Sequence, residues 1–317
     1  MSQPGTSHTL RSRETSRSSN VIVNAMSVDV EDYFQVSAFE KAVSRASWDT
    51  LESRVVGNTA RLLELFEQTR VKATFFILGW VADRHPALVN KIAAAGHEVA
   101  SHGYHHQLVY GLTPRQFRED VRSAKAALEN ATGSSVVGFR APSFSLVPSA
   151  LWAIDILIEE GHLYDASVFP IRHGRYGNPN APRHIHSIER SAGTLLEMPL
   201  ATVRIGRMNF PVSGGGYFRL LPYAWTRWGI RHLNLVDRQP ALFYVHPWEI
   251  DPDQPRIPVG LSTRVRHYTG LKSTFRRLAT LLSEFRFAPV AEVLNVTPSP
   301  IPRPFDHRRP TPAAAQT

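Results

Sequence analysis

Residues 113–140 read TPRQFREDVRSAKAALENATGSSVVGFR. Thr113 can cap a helix, Pro114 suits its first position, and Gln116 completes a capping box. Phe117, Val121, Ala124 and Leu128 then fall on one face before Gly133 ends the helix. After a short polar turn, Val136–Phe139 is a compact apolar strand that runs into Arg140. A capped helix, a tight turn, a buried strand and a charged residue at its carboxyl end together make one unit of a parallel α/β fold.

The same unit recurs on both sides. Val21–Val28 reads as a first strand ending in Asp29, and Leu51–Gln68 as a helix with Leu51, Val55, Leu62, Leu63 and Phe66 on its stripe. Lys72–Leu78 is β-branched and aromatic, hence a buried strand. A helix over Pro86–Ala95 is closed by Gly96, and Glu98–Ser101 follows as a strand. Further on come a helix over Pro148–Glu160, strands near Leu195–Met198 and Leu242–Val245, a helix over Leu271–Phe285 and a last strand at Pro289–Leu294. Six or more such units favour an α/β barrel over an open sheet. The Ser/Thr/Arg-rich residues 1–20 and the Pro/Ala-rich residues 296–317 read as disordered tails around one domain at 21–295.

Composition narrows the function. The 317 residues are 43% hydrophobic and 20% charged, enough to bury a large core. With no cysteine, disulfide scaffolds, thiolate nucleophiles and cysteine-ligated metals are excluded. No apolar run has the length of a membrane span, and the first twenty residues lack the apolar centre of a signal peptide, so the expected residence is cytoplasmic, with a basic tail able to touch a membrane surface. The net charge of +9 invites a nucleic-acid reading, but much of it sits in the two tails. Arg11, Arg13 and Arg17 outweigh Glu14, and Arg303, Arg308 and Arg309 outweigh Asp306. No basic block with interleaved aromatics is present, so no specific nucleic-acid partner is expected.

Reactive groups in parallel α/β folds gather at the carboxyl ends of strands. Four strands here end in capable residues. The first runs Ser27-Val28-Asp29-Val30-Glu31-Asp32, three carboxylates that repel unless a cation or proton holds them. The second is Ser101-His102-Gly103-Tyr104-His105-His106, in which one helical turn would place His102 and His106 side by side for a metal while His105 points elsewhere. The third is Arg140-Ala141-Pro142-Ser143, whose guanidinium can fix a carboxylate. The fourth is Val245-His246-Pro247-Trp248-Glu249, with a histidine able to move a proton. Two histidines and one carboxylate leave a tetrahedral zinc an open position, a second carboxylate can take a proton from water, and a separate histidine can protonate a leaving amine.

The order acidic loop, His-x-x-x-His, Arg-x-Pro, strand-end His resembles the polysaccharide deacetylase family (carbohydrate esterase family 4) over residues 21–295. The resemblance implies a distorted (β/α) barrel, a divalent cation, zinc in the first place, and removal of acetyl groups from N-acetylated polysaccharides. Asp29–Phe34, Gly214–Pro222 and His246–Glu249 look like a bacterial branch found with exopolysaccharide and exosortase systems, with the branch-specific part at about 210–295. Carried over by position, His102 and His106 would be metal ligands, Asp29 the base, Arg140 its holder, and His246 the acid. The Ser143 N–H would stabilise an oxyanion, Asp165 and Trp248 would lie towards substrate, and Glu197 would orient a histidine. The family's adjacent aspartates are absent here, so the third ligand is Glu31 or Asp32. Length favours Glu31, and Asp32 could cap the next turn. Rival readings are an amidohydrolase for small cyclic or linear amides, as in allantoinases and imidases, and a non-catalytic glycan binder. The oligomeric state is not legible.

Overall fold

The computed structural model describes residues 21–297. The readings of residues 1–20 and of the C-terminal tail from 298 on lie outside the described residues. The first half runs β1 (Asn24–Val30), α1 (Val55–Thr69), β2 (Thr74–Ile77), α2 (Gly79–Arg84), α3 (Pro86–Ala94), β3 (Glu98–Ser101), α4 (Pro114–Thr132), β4 (Gly138–Phe139), α5 (Ala153–Glu159) and β5 (Tyr164–Asp165). The second half adds β6 (His186–Arg190), β7 (Gly193–Glu197), β8 (Thr202–Ile205), β9 (Met208–Pro211), α6 (Gly215–Leu220), α7 (Tyr223–His232) and β10 (Leu242–Val245). It closes with α8 (Leu261–Tyr268), α9 (Leu271–Glu284), β11 (Phe287–Ala288) and α10 (Val290–Leu294).

The strands β10-β1-β2-β3-β4-β5-β7 lie side by side and parallel, and β6 pairs antiparallel at the edge. Backbone bonds then carry the pairing round. Met198 N–H donates to Asp165 O and Leu200 N–H to Val168 O, Val212 N–H to Ala201 O, and Tyr244 N–H to Ser213 O. The β8–β9 hairpin thus spans the interval between β7 and β10, and the result is the distorted (β/α) barrel expected. Alternation along β1 divides the two layers. Met26, Val28 and Val30 join the outer core with Phe75, Ile77, Phe243 and Val245, under the helices. Ala25 joins Phe76, Ala100, Tyr164 and Tyr244 in the inner core. Because both faces are covered, β1 is buried throughout. Gly138 is required inside: a Cβ there would stand 2.2 Å from the Tyr164 ring.

Helix α4 has the expected capping box, and its C-cap Gly133 is left-handed. Other expectations shift. The helix read over Leu51–Gln68 starts only at Val55. That over Pro148–Glu160 splits into a short 3-10 turn at Pro148–Ala150 and α5. The last strand, read at Pro289–Leu294, is instead two residues at β11 followed by α10. There, Val290 N–H goes to Thr74 Oγ1 and Ala291 N–H to Glu98 Oε2, so side chains take the donors a strand partner would use. No helix among the described residues is long and apolar enough to cross a membrane.

Candidate active site

At the carboxyl ends of the strands the period of two makes β1 chemical. Ser27 and Asp29 point inward, and both meet Arg140 just past β4. The guanidinium is fully buried. Its Nη1 donates to Asp29 Oδ1 at 2.5 Å and to Ser27 Oγ at 2.8 Å, and its Nε donates to Ala166 O at 3.0 Å. It also lies 4.1 Å from the centroid of the Phe76 ring. Asp29 is therefore held in one orientation through Oδ1, with Oδ2 left towards the cavity.

Glu31, His102 and His106 come together beside it, each offering one ligand atom within 4.8 Å of the others, and all three are buried. His106 Nε2 is 2.7 Å from Glu31 Oε2. His102 Nδ1 meets the Arg140 carbonyl oxygen at 2.8 Å, so this nitrogen carries the proton and Nε2 keeps its lone pair for a ligand. Burial, first of all, lowers the His102 pKa to about 4, which keeps the ring neutral. Burial alone would raise Glu31, but His106 above all, then His246 and His102, bring it down to about 2. His106 Nδ1 is buried with no hydrogen-bond partner among the described residues. Two buried imidazoles and a carboxylate this close together make a donor set that fits a divalent cation.

No helical turn brings the histidines together, contrary to the expectation. They sit in a loop in which His106 takes φ 53°, and their ring centroids are 5.4 Å apart. Two helices clamp that loop. Gly79 and Trp80 N–H groups at the start of α2 donate to Gly103 O and Tyr104 O. Asp120 of α4 accepts from Tyr104 N–H at 2.8 Å and His105 N–H at 3.3 Å. A Cβ on Gly79 would lie 2.4 Å from the Tyr104 ring and 2.8 Å from Ala124 Cα. Gly79→Ala is thus expected to cost about 1–3 kcal/mol in urea unfolding and to weaken cation binding through this loop. An unchanged midpoint with unchanged cation affinity would show that the clamp yields.

His246 follows β10 and faces the pair of carboxylates, its Nε2 3.8 Å from Asp29 Oδ2 and 3.6 Å from Glu31 Oε1. Its Nδ1 meets Glu249 Oε2 at 3.0 Å, and the same oxygen accepts the His246 backbone N–H at 2.9 Å. Arg219 Nε donates to Glu249 Oε1 at 2.6 Å while its Nη1 reaches three carbonyls, those of Arg266, His267 and Thr269. Trp248 stacks between His246 and His267, and its Nε1–H donates to Glu31 Oε1 at 3.1 Å. Burial would lower His246, but Glu249 first, then Glu31 and Asp29, raise it to about 9. A histidine that serves as an acid must be protonated, so an activity that depends on it would fall as pH rises through that pKa. Glu249→Gln removes the largest raising influence. The alkaline limb of kcat is expected to move to lower pH, and an unmoved limb in a pH–rate profile would separate Glu249 from His246.

Several expected roles move. Asp32 stands outside the group of Glu31, His102 and His106: it accepts from Ser53 Oγ–H and from the backbone N–H groups of Arg54 and Val55, capping α1. Asp165 lies behind the site, where it accepts from Ser167, whose Oγ in turn accepts Ala141 N–H. Among the described residues Glu197 has no histidine as a hydrogen-bond partner. It accepts Val168 N–H, and burial with the adjacent Asp165 charge raises its pKa well above the usual range. Trp248 lines the cavity but its polar atom serves Glu31. Ser143 is left-handed at φ 52° and its Oγ meets Ser37 Oγ at 2.7 Å. The sequence reading missed Glu249, Arg219 and His267. The first had a signal, since Pro247 followed by Glu249 after His246 has the spacing of a capping box.

Asp29, Glu31, His102, His106, His246 and Glu249 line one cavity of about 320 Å³, which also has Arg175, Tyr176, Tyr217 and Arg266 in its walls. Residues 41–154 match a family described as Polysaccharide deacetylase, and residues 166–295 one described as Domain of unknown function (DUF3473). A chitooligosaccharide deacetylase of Bradyrhizobium sp. (strain ANU 289) is 30% identical over 99 residues, 31% of this chain and 43% of that protein. A peptidoglycan deacetylase of Helicobacter pylori is 30% identical over 110 residues, 34% of this chain and 36% of that protein. The chain thus spans under half the length of these curated relatives. Among solved structures, a Mycobacterium smegmatis protein assigned to the polysaccharide deacetylases shares 23% identity at TM-score 0.55, covering 89% of this chain and 95% of that one. An allantoinase shares 15% identity at TM-score 0.57, covering 86% of this chain and 88% of that one. Identities this low speak to the fold alone.

Proposed function

We propose that this chain, whose residues 41–154 match the polysaccharide deacetylase family, is an enzyme of that family and hydrolyses N-acetyl groups from amino-sugar units of a bacterial polysaccharide. The observation that carries the reading is the convergence of Glu31, His102 and His106 within 4.8 Å of one another, with Asp29 and His246 alongside. A divalent cation held by those three residues would polarise the acetyl carbonyl and acidify water. Zinc suits two imidazoles and a carboxylate.

The chain's own residues divide the proton work. Asp29, fixed by Arg140 through Oδ1, accepts the attacking water's proton on Oδ2. The water oxygen bonds to the acetyl carbon, and the Ser143 backbone N–H donates to the developing oxyanion. His246, with Nδ1 tied to Glu249, gives its Nε2 proton to the amine as the C–N bond breaks, and acetate departs. The finer placement in exopolysaccharide synthesis rests on the resemblance of residues 29–34, 214–222 and 246–249 to that branch.

Acetate release from N-acetylglucosamine oligomers, with added zinc and with chelator, is the test. Zinc-dependent release that exceeds hydrolysis of small ureides supports the reading. Hydrolysis of ureides alone would assign the site to small amides, and stoichiometric cation with no hydrolysis would make it a binding site.

A further inference from the structure

We propose that the glycan entering this cavity is anionic, with a carboxylate-bearing sugar next to the acetylated one, held by Arg175 and Arg266. The inference rests on the deacetylase reading above and narrows its substrate class.

The acids of the cavity floor are all committed. Asp29 is held by Arg140, Glu31 by His106 and Trp248, and Glu249 by Arg219 and His246. Arg219 is committed too, its donors going to Glu249 and three carbonyls. Arg175 and Arg266 differ. They line the same cavity from distant parts of the chain, Arg175 from the segment between β5 and β6 and Arg266 from α8, and both are exposed. Among the described residues, their hydrogen bonds to side chains use backbone atoms: Arg175 N–H donates to His173 Nδ1, and Arg266 O accepts from Arg219 Nη1.

Both cations share the cavity lining with His173 and Tyr176, and after burial Arg266 and then Arg175 lower the His173 pKa. His173 stacks on Tyr176 with centroids 3.8 Å apart, and Tyr176 lies nearly parallel to Phe169 at 8°. His173, Tyr176 and Phe169 thus form a stack of rings, its first two members lining the cavity together with Arg175 and Arg266. Like charges lining one cavity repel unless an anion joins them. A guanidinium fork matches a carboxylate in bidentate fashion, and a pyranose ring packs its C–H face on an aromatic. A neutral amino-sugar chain would leave both forks to water.

The test is calorimetric binding to the full chain at low salt, which needs no turnover. The probes are a tetrasaccharide alternating N-acetylglucosamine with glucuronic acid and a neutral tetramer of N-acetylglucosamine. The uronate probe is expected to bind at least tenfold tighter, with the advantage falling steeply as salt rises. The Arg175→Gln/Arg266→Gln variant should lose that advantage. Arg264→Gln, on the same helix but outside this cavity, should keep it, which separates local pairing from overall positive charge. Equal binding of the two probes overturns the inference, and so does an advantage that survives the double substitution. If the advantage follows the two arginines but neither probe releases acetate with zinc present, anion recognition stands and the deacetylase reading fails.

Discussion

Asp29→Asn is expected to slow acetate release by about 10²–10⁴-fold, the range a positioned general base contributes. The amide keeps the shape and keeps an oxygen for the Arg140 Nη1–H, which now reaches Asp29 Oδ1 at 2.5 Å. It cannot accept the proton of the attacking water. Asp29 belongs to none of the triad's three ligand positions, so cation content should stay at one per chain by elemental analysis. The loss should fall on kcat more than on KM, because the base acts in the transition state rather than in ground-state binding. A variant within tenfold of the parent would remove Asp29 from the base role. Loss of the cation together with the activity would instead make Asp29 part of the metal shell.

Arg140→Met is expected to destabilise the fold by about 3–5 kcal/mol, the usual cost of removing one member of a buried ion pair. The fully buried guanidinium satisfies Asp29, Ser27 and Ala166 at once. Its loss strands a carboxylate with 2% of its side chain exposed. Urea unfolding measures the change. The double variant Asp29→Asn/Arg140→Met should lose less than the sum of the two single variants, because the amide no longer brings an unpaired charge. Strict additivity, or a single-variant loss under about 1 kcal/mol, would show that the pair is screened by water. Activity of the folded fraction should fall as well, since an unheld Asp29 spends less time in its working orientation.

The elements with local signals were legible along the chain. Helix α4 announces itself through Thr113, Gln116 and Gly133, and β10 through the apolar run Leu242–Val245. The strand-end residues Asp29, His102, Arg140 and His246 were legible for the same reason: an apolar run that stops on a polar group is visible without coordinates. The second half was less so. Strands β6, β8 and β9 are half exposed on their faces, which blurs the alternation that marks a strand. The turn into α10 misled because Val290 and Val293 look like strand residues, while the competing acceptors, Thr74 and Glu98, lie far away in the chain.

Sequence by itself determined which chemistry was available: two imidazoles, a cluster of acids, a guanidinium and a further histidine, each at the end of a strand. Only the tertiary structure decided how they divide the work. Glu31 and Asp32 are neighbours of the same charge, and nothing local separates them. The start of α1 claims Asp32 with its free N–H groups, and the turn after β1 leaves Glu31 facing His106 and Trp248. In the same way Glu197 was lost to a buried pairing with Asp165, and Glu249 took the place beside His246. A carboxylate's role is set by which donors reach it in space, and those donors come from segments that the linear order keeps apart.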